Sequence, residues 1–341
     1  MVPSRDLFDR PLRSLRLSVT DRCNLRCGYC MPEESYTWLP KREILSFEEA
    51  AALVDGLVPL GVDRVRLTGG EPLLRRDVVD LVARLADLGK LADLSLTTNA
   101  VLLPDLAAPL RAAGLDRITV SIDTLRPERF THLTRRDELD RTLRGIDAAH
   151  DAGFRGTKLN VVVMRGENDD ELVDLLAFGR ERDIEVRFIE YMDVGGATRW
   201  TMDTVVPAAE MLRRISDALG PIEPLEPVRT SAPADRFQLA SGQVFGIIAS
   251  TTRPFCAGCD RARLTADARF ITCLYADEGI PIGPVLREQG VAAAVERIER
   301  AWRGRDDRGA EERLAAAERG ALVGAEQLRD APHREMHTRG G

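Results

Sequence analysis

No apolar run in this 341-residue sequence is long enough to cross a bilayer, since a spanning helix needs about 20 such residues. The best candidates, KLNVVVM (158–164) and VFGIIAS (244–250), are far shorter. The opening MVPSRDLFDRPLR mixes Arg with Asp and lacks the apolar stretch of a secretory signal, so a cytoplasmic protein is expected. An excess of basic charge is also missing. The net charge of −7 argues against nonspecific nucleic-acid binding, although a local Arg/Lys cluster can still make one pocket cationic. No GxxxxGK[ST] loop is present, which removes an ordinary nucleotide hydrolase. Neither a Ser/His/Asp triad nor a paired general acid and base stands out. Cysteine is scarce, at six residues.

Those six fall into two sets of three: Cys23, Cys27, Cys30 and Cys256, Cys259, Cys273. A long chain with clustered thiols and no export signal points to metal or catalysis rather than disulfides. The first set is a CxxxCxxC in a loop just after a strand-like run. The second is a CxxC followed by a third cysteine after thirteen residues. A structural zinc site closes with four ligands, and neither set offers a fourth. Three thiolates on a four-iron cube leave one iron uncapped and free to bind a small molecule. A zinc site or buried free thiols are the plainer alternatives.

The first two-thirds of the chain alternates strand and helix patterns. Strand-like runs cover 15–20, 64–70, 94–99, 117–123, 157–164 and 185–192. Between them, Ser46 with Glu49 and Asn168 with Glu171 read as helix-opening capping boxes. Val78, Leu81, Val82 and Leu85 follow helical spacing. Pro207 suits a first helical turn, with Gly220 as the stop. Six βα units imply a parallel sheet with ligands at the carboxyl ends of its strands. Periodicity leaves a doubly wound sheet and a curled partial barrel both open. After Gly220 a proline-rich stretch marks a boundary, giving residues 1–220 and 221–341 as two domains. A hairpin is expected across Ser241-Gly242, and an Ala/Glu/Arg-rich helical tail from about 286. RGRDDRGAEER (303–313) reads as an exposed charged face. His333 and His337 read as solvated residues of a polar tail.

CxxxCxxC with Tyr29 before its last cysteine, followed one βα unit later by RLTGGEP (66–72), resembles the radical S-adenosylmethionine superfamily. That resemblance implies a partial (βα)6 TIM-like barrel, with a C-terminal α+β domain carrying a second iron–sulfur cluster. Within the superfamily, LRLSVTDRCNLRCGYCMP, RLTGGEPLLR, LTTNA, VSIDTL, KLNVVVM, FIEYMDVG, FCAGCDRARLTADARFITCL and the final Gly340-Gly341 are similar, in order, to the GTP 3′,8-cyclases of molybdenum cofactor biosynthesis. The likeness runs over nearly the whole chain.

What the resemblance implies is specific. Two 4Fe–4S clusters would sit on Cys23, Cys27, Cys30 and on Cys256, Cys259, Cys273. S-adenosylmethionine would meet Tyr29, Gly70, Ser121 and Met192, and GTP would meet Arg16, Arg66, Thr97, Lys158, Arg261 and Arg263. Taken singly, each basic residue is more simply a solvated charge; together, read as lying at strand ends, they make a clamp for a triphosphate. Reductive cleavage of S-adenosylmethionine would start hydrogen abstraction at ribose carbon 3′, ending in 3′,8-cyclo-7,8-dihydro-GTP. The reaction calls for an external electron donor, and the product would pass to cyclic pyranopterin monophosphate synthase. A homodimer is compatible with this picture, and neither nucleic acid nor membrane is expected as partner. The double-glycine tail would enter the active site, with Arg339, where the family usually has an apolar residue, adding a cation near the triphosphate. A peptide-modifying radical enzyme would bring more C-terminal cysteines. A non-enzymatic metal module would leave the Gly-Gly-Glu-Pro turn and the basic residues unexplained.

Overall fold

The computed structural model describes residues 3–340. Six parallel strands form its centre: β1 (Ser14–Ser18), β2 (Arg64–Thr68), β3 (Asp93–Thr98), β4 (Arg117–Ser121), β5 (Lys158–Val163) and β6 (Glu185–Glu190). They match the six strand-like runs to within one or two residues at each end. Six more strands follow: β7 (Ile222–Leu225), β8 (Asp235–Leu239), β9 (Val244–Ile248), β10 (Arg261–Leu264), β11 (Arg269–Ile271) and β12 (Ile280–Pro281). The sheet runs β12-β11-β10-β1-β2-β3-β4-β5-β6-β9-β8-β7 among the described residues.

The C-terminal strands therefore extend both edges of the central six. β10 lies parallel to β1, and β9 parallel to β6. Antiparallel strands then continue each edge, β11 and β12 on one side and β8 and β7 on the other. β8 and β9 form the expected hairpin. The eight parallel strands do not close, because β9 and β10 share no register.

Side-chain alternation explains why the inner face stays open. Leu15 and Leu17, Val65 and Leu67, Leu94 and Leu96, Ile118 and Val120, Val186 and Phe188 all join the hydrophobic core under the helices. Their neighbours point the other way. Arg16, Arg66, Thr97, Ser121 and Asn160 line a cavity instead of a packed apolar interior, in contrast to the layered interior of a closed barrel.

The helices that brace the outer face form largely where their patterns suggest. Ser46 Oγ accepts the Glu49 N–H at 3.1 Å, and Glu49 accepts the Ser46 N–H at 2.8 Å, ahead of the helix Phe47–Leu57. Val78, Leu81, Val82 and Leu85 are the buried stripe of Val78–Ala86. Pro207 stands one residue before its helix, Ala208–Leu219, which stops at Gly220.

The second capping box does not form. Asn168 accepts the Met164 N–H at 2.8 Å and donates to the carbonyls of Asp123 and Val162. Glu171 accepts the Leu125 N–H at 2.8 Å and the Thr124 hydroxyl. Both side chains are buried and pin the loop after β4 to the end of β5. There, satisfying otherwise orphaned backbone groups outweighs a local cap. No helix among the described residues is long and apolar enough to cross a membrane.

Candidate functional site

One cavity of about 360 Å³ lies inside the curve of the sheet. All six cysteines line it, the first set from the loop after β1 and the second from the segments around β10 and β11. None is in a disulfide. No group of three or more His, Cys, Asp or Glu among the described residues is set to hold a single metal ion. The thiols border a shared space instead.

Each set sits in a prepared loop. The Cys30 N–H bonds the Cys27 carbonyl at 2.9 Å, and the Cys259 N–H bonds that of Cys256 at 3.1 Å. Burial pushes the Cys23 thiol up to about 11, with Glu71 adding to the effect. Burial likewise raises Cys27 and Cys30. Such thiols ionise readily only when a cationic centre compensates. In the second set the protein supplies part of that charge. Burial raises Cys259, but Arg261 and Arg305 outweigh it and bring the thiol down to about 6. Arg261 Nη2 lies 3.5 Å from Cys259 Sγ and stacks over Phe255. Burial raises Cys256 and Cys273, with backbone N–H groups of Glu311 and Ala310 restraining the first and those of Tyr275 and Gly309 the second. A Cβ at Gly309 would come 3.1 Å from Cys273 Sγ. Three sulfurs facing open space fit an iron–sulfur cluster in each set, the second with backbone donors and Gly309 beside it.

Around the first set, the Gly-Gly-Glu-Pro turn is a structural keystone. Gly69 has φ 153°, and a Cβ at Gly70 would meet the Arg22 carbonyl oxygen at 2.4 Å. The close approach these glycines permit is therefore to the chain just before Cys23, although both also line the cavity. Glu71 accepts the Asn99 and Leu73 N–H groups and the Thr98 hydroxyl; burial still holds its carboxyl up at about 7. Tyr29 donates its hydroxyl to Asp123 at 2.7 Å and packs edge-on to Tyr191. Burial raises Asp123 to about 6, with the Tyr29 and Val162 hydrogen bonds restraining it. Gly70, Ser121 and Met192 line the same cavity as Tyr29. Nothing in the local sequence singled out Asp123 as Tyr29's partner, 94 residues away.

The cations form a column through the cavity. Arg16, Arg66, Arg261 and Arg263 line it, with Thr97 beside them. Register puts Arg16 opposite both Arg66 and Arg263. No carboxylate among the described residues pairs with any of these four arginines. Arg66 donates only to the Thr97 and Thr119 hydroxyls, at 3.2 and 3.1 Å. Burial, then repulsion within the column, lowers Arg16; burial, then Arg261 and Arg339, brings Arg263 to about 9; and burial, then Arg117 outside the column, brings Arg66 to about 10. All remain charged at neutral pH. Unpaired like charges held together in this way favour a polyanion.

The strand-end placement expected for these residues needs correction. Arg16 and Arg66 are the central residues of β1 and β2, inward-facing because of the alternation. Lys158 opens β5 at the amino end of the sheet and does not line the cavity. Its amine contacts the Gly156 carbonyl and lies near Arg187, Arg117, Glu185 and Arg66. Burial and those arginines lower it to about 8.

The tail also departs from expectation. Gly340, at φ 72°, packs on Thr68; a Cβ there would meet Thr68 Oγ1 at 1.9 Å. Arg263 donates to the Arg339 and Gly340 carbonyls. Gly341 lies outside the described residues. The Arg339 guanidinium donates to the carbonyls of His333, Leu274, Ala276 and Asp277, and its charge still lowers Arg263. It ties the tail to the segment after Cys273, and it does not itself line the cavity. His337 is buried, not solvated, and packs edge-on against Tyr36 and Trp38. Arg305, in the stretch read as an exposed face, is 4% exposed and lines the cavity.

Comparison with known proteins decides what this geometry belongs to. Residues 17–179 match the Radical SAM superfamily model, and residues 184–311 match Molybdenum Cofactor Synthesis C. GTP 3′,8-cyclase 3 of Mycobacterium bovis is 52% identical over 99% of this chain and 91% of its own length. The chain belongs to the GTP 3′,8-cyclase family. GTP 3′,8-cyclase 1 of Mycobacterium tuberculosis is equally similar, at 52% over 95% of its length, and the GTP 3′,8-cyclase of Acidothermus cellulolyticus is 50% identical over 90% of this chain and 87% of that one. The fold is shared more widely. Streptococcus suis SuiB, in a structure bound to S-adenosylmethionine, superposes with a TM-score of 0.61 at 15% identity, covering 90% of this chain and 68% of that one. The first family model spans the end of β1 through β5, and the second takes in β6 and the edge strands β7–β12.

Proposed function

We propose that the cavity is where this GTP 3′,8-cyclase brings its two reactants together, each beside an incompletely ligated cluster. The chain is a radical S-adenosylmethionine lyase of molybdenum cofactor biosynthesis that converts GTP to 3′,8-cyclo-7,8-dihydro-GTP and carries two 4Fe–4S clusters. One observation supports the detailed reading most: both cysteine triads and the unpaired arginine column open onto the same space.

In this reading Cys23, Cys27 and Cys30 hold the first cluster, with S-adenosylmethionine against Tyr29, Gly70, Ser121 and Met192. Cys256, Cys259 and Cys273 hold the second, with an iron left for the guanine of GTP. When bound, the first cluster and S-adenosylmethionine supply hydrogen-atom abstraction at ribose carbon 3′. The chain's own residues orient and shield. Arg261, Arg263 and Arg16 meet the nucleotide near the second triad, and Arg66 with Thr97 takes the phosphates further down. Lys158 attracts the triphosphate end from the base of the sheet. Asp123 holds the Tyr29 ring, and the tail covers the cavity beside Thr68. A cytoplasmic location, an external electron donor, hand-over to cyclic pyranopterin monophosphate synthase, a homodimer, and a division into residues 1–220 and 221–341 complete the proposal.

The test is anaerobic reconstitution with a count of iron and sulfide. About eight irons are expected, falling to about four when either triad is replaced by Ala. Tightly bound zinc in their place, or iron lost from both sites with either triad, would overturn the assignment.

A further inference from the structure

A buried charge network lies directly behind the second cysteine set, built from parts of the chain that no family motif discussed above includes. Asp6, Arg10 and Arg305 are 7%, 2% and 4% exposed. Arg10 Nε bonds Asp6 Oδ2 at 2.6 Å, and Arg305 Nη1 approaches the same oxygen at 3.4 Å. The other Asp6 oxygen accepts the N–H groups of Phe8 and Arg10. The arginines then reach the cysteine loop. Arg10 Nη1 donates to the Cys256 carbonyl at 3.1 Å and the Asp307 carbonyl at 2.8 Å. Arg305 Nη1 donates to the Cys259 carbonyl at 3.0 Å. The two carbonyls fixed in this way belong to both cysteines of the CxxC.

The network is unusual in its cost. Two buried guanidiniums share the one buried carboxylate, and Asp307, partly exposed, pairs Arg305 from the solvent side; burying such charges is costly unless they are paired and hydrogen-bonded. Trp302 stacks on Arg305 at 4.6 Å and donates its indole N–H to the Arg10 carbonyl, so the group is held rigidly. Buried Arg10 Nη2 and Arg305 Nε have no hydrogen-bond partner among the described residues. Other charges near the triad are Arg261 at Cys259, Asp307 3.6 Å from Arg305 Nε, and Glu311 near Cys256, which Arg308 pairs. Arg305 itself faces the cavity.

We propose that Asp6, Arg10 and Arg305 form a positioning and charge-balancing device for the second iron–sulfur cluster. The two arginines fix the CxxC backbone and stabilise the added electron when the cluster is reduced. Asp6 orients them and tempers their charge. Net charge and hydrogen bonding around a cluster set its reduction potential, and outer partners orient its ligands. The inference rests on the assignment of the second triad to a cluster.

The experiment is an EPR-monitored redox titration of the full chain, reconstituted anaerobically, with iron and sulfide counted in every sample. The variants are Arg305→Gln, Arg10→Gln and Asp6→Asn. Removing either cation is expected to lower the potential of the second cluster, and removing the anion to raise it, with the first cluster's signal unchanged. A purely structural role would move all three variants the same way, so the opposite sign of Asp6→Asn is the decisive readout. Unchanged potentials in all three would overturn the proposal, as would equal loss of iron from both sites. Should the wild-type chain itself bind about four irons, all removed by replacing the first triad, the cluster assignment fails before this inference is reached.

Discussion

Lys158 is the residue whose charge is most open to test by pH. Burial and neighbouring arginines lower it to about 8, so in the free enzyme the cation predominates below pH 8 and is lost above it. If the triphosphate binds the cation, the apparent KM for GTP is flat up to about pH 7 and climbs toward about tenfold per pH unit above 8. Lys158→Arg, charged throughout, is expected to flatten that climb. A wild-type profile without it would remove Lys158 from GTP binding. Gly340 makes a different kind of prediction. Its left-handed backbone and its contact with Thr68 leave no room for a methyl group. Gly340→Ala should displace the tail and lower kcat by roughly 10²-fold, with iron content unchanged. The sequence marked the six cysteines, Tyr29 and most of the basic residues, because spacing and resemblance act on local strings. Asp123 and Arg305 were not legible. A carboxylate 94 residues from Tyr29, and an arginine inside RGRDDRGAEER, are given meaning only by packing.

At the scale of elements, local signals worked where local physics decides. The Ser46 box formed even though Glu49 also pairs with Arg287, because both contacts can be made at once; Ser46→Ala should cost about 1 kcal/mol in urea unfolding. Asn168 and Glu171 carry the same signature and do something else, since buried loop ends claim them first. The tail shows the opposite error. It looks polar and expendable in sequence, yet Arg339 is tied to four carbonyls and His337 is buried among aromatics. Arg339→Leu should free the tail from the segment after Cys273. Faster carboxypeptidase trimming and a lower kcat are the expected results, and trimming at the wild-type rate would count against the tether.

For the whole molecule, six βα units were readable from periodicity, but their closure was not. Whether a sheet opens flat or curls depends on pairings between strands far apart in sequence. Here β9 and β10 come from beyond residue 240 and flank the six central strands. That topology puts the second cysteine set at the amino end of β1, while the loop after its carboxyl end carries the first. Two incomplete metal sites thus face one cavity from opposite ends of β1, with the arginines of β1, β2 and β10 along the strands between them.

Product analysis tests this account most directly. The reconstituted chain is incubated anaerobically with GTP, S-adenosylmethionine and a reductant, and the mixture is examined by mass spectrometry. The account predicts 3′,8-cyclo-7,8-dihydro-GTP formed together with 5′-deoxyadenosine, and no cyclised product when Cys256, Cys259 and Cys273 are replaced by Ala. Unaltered GTP in the wild-type reaction, or cyclisation that survives loss of the second triad, would contradict it.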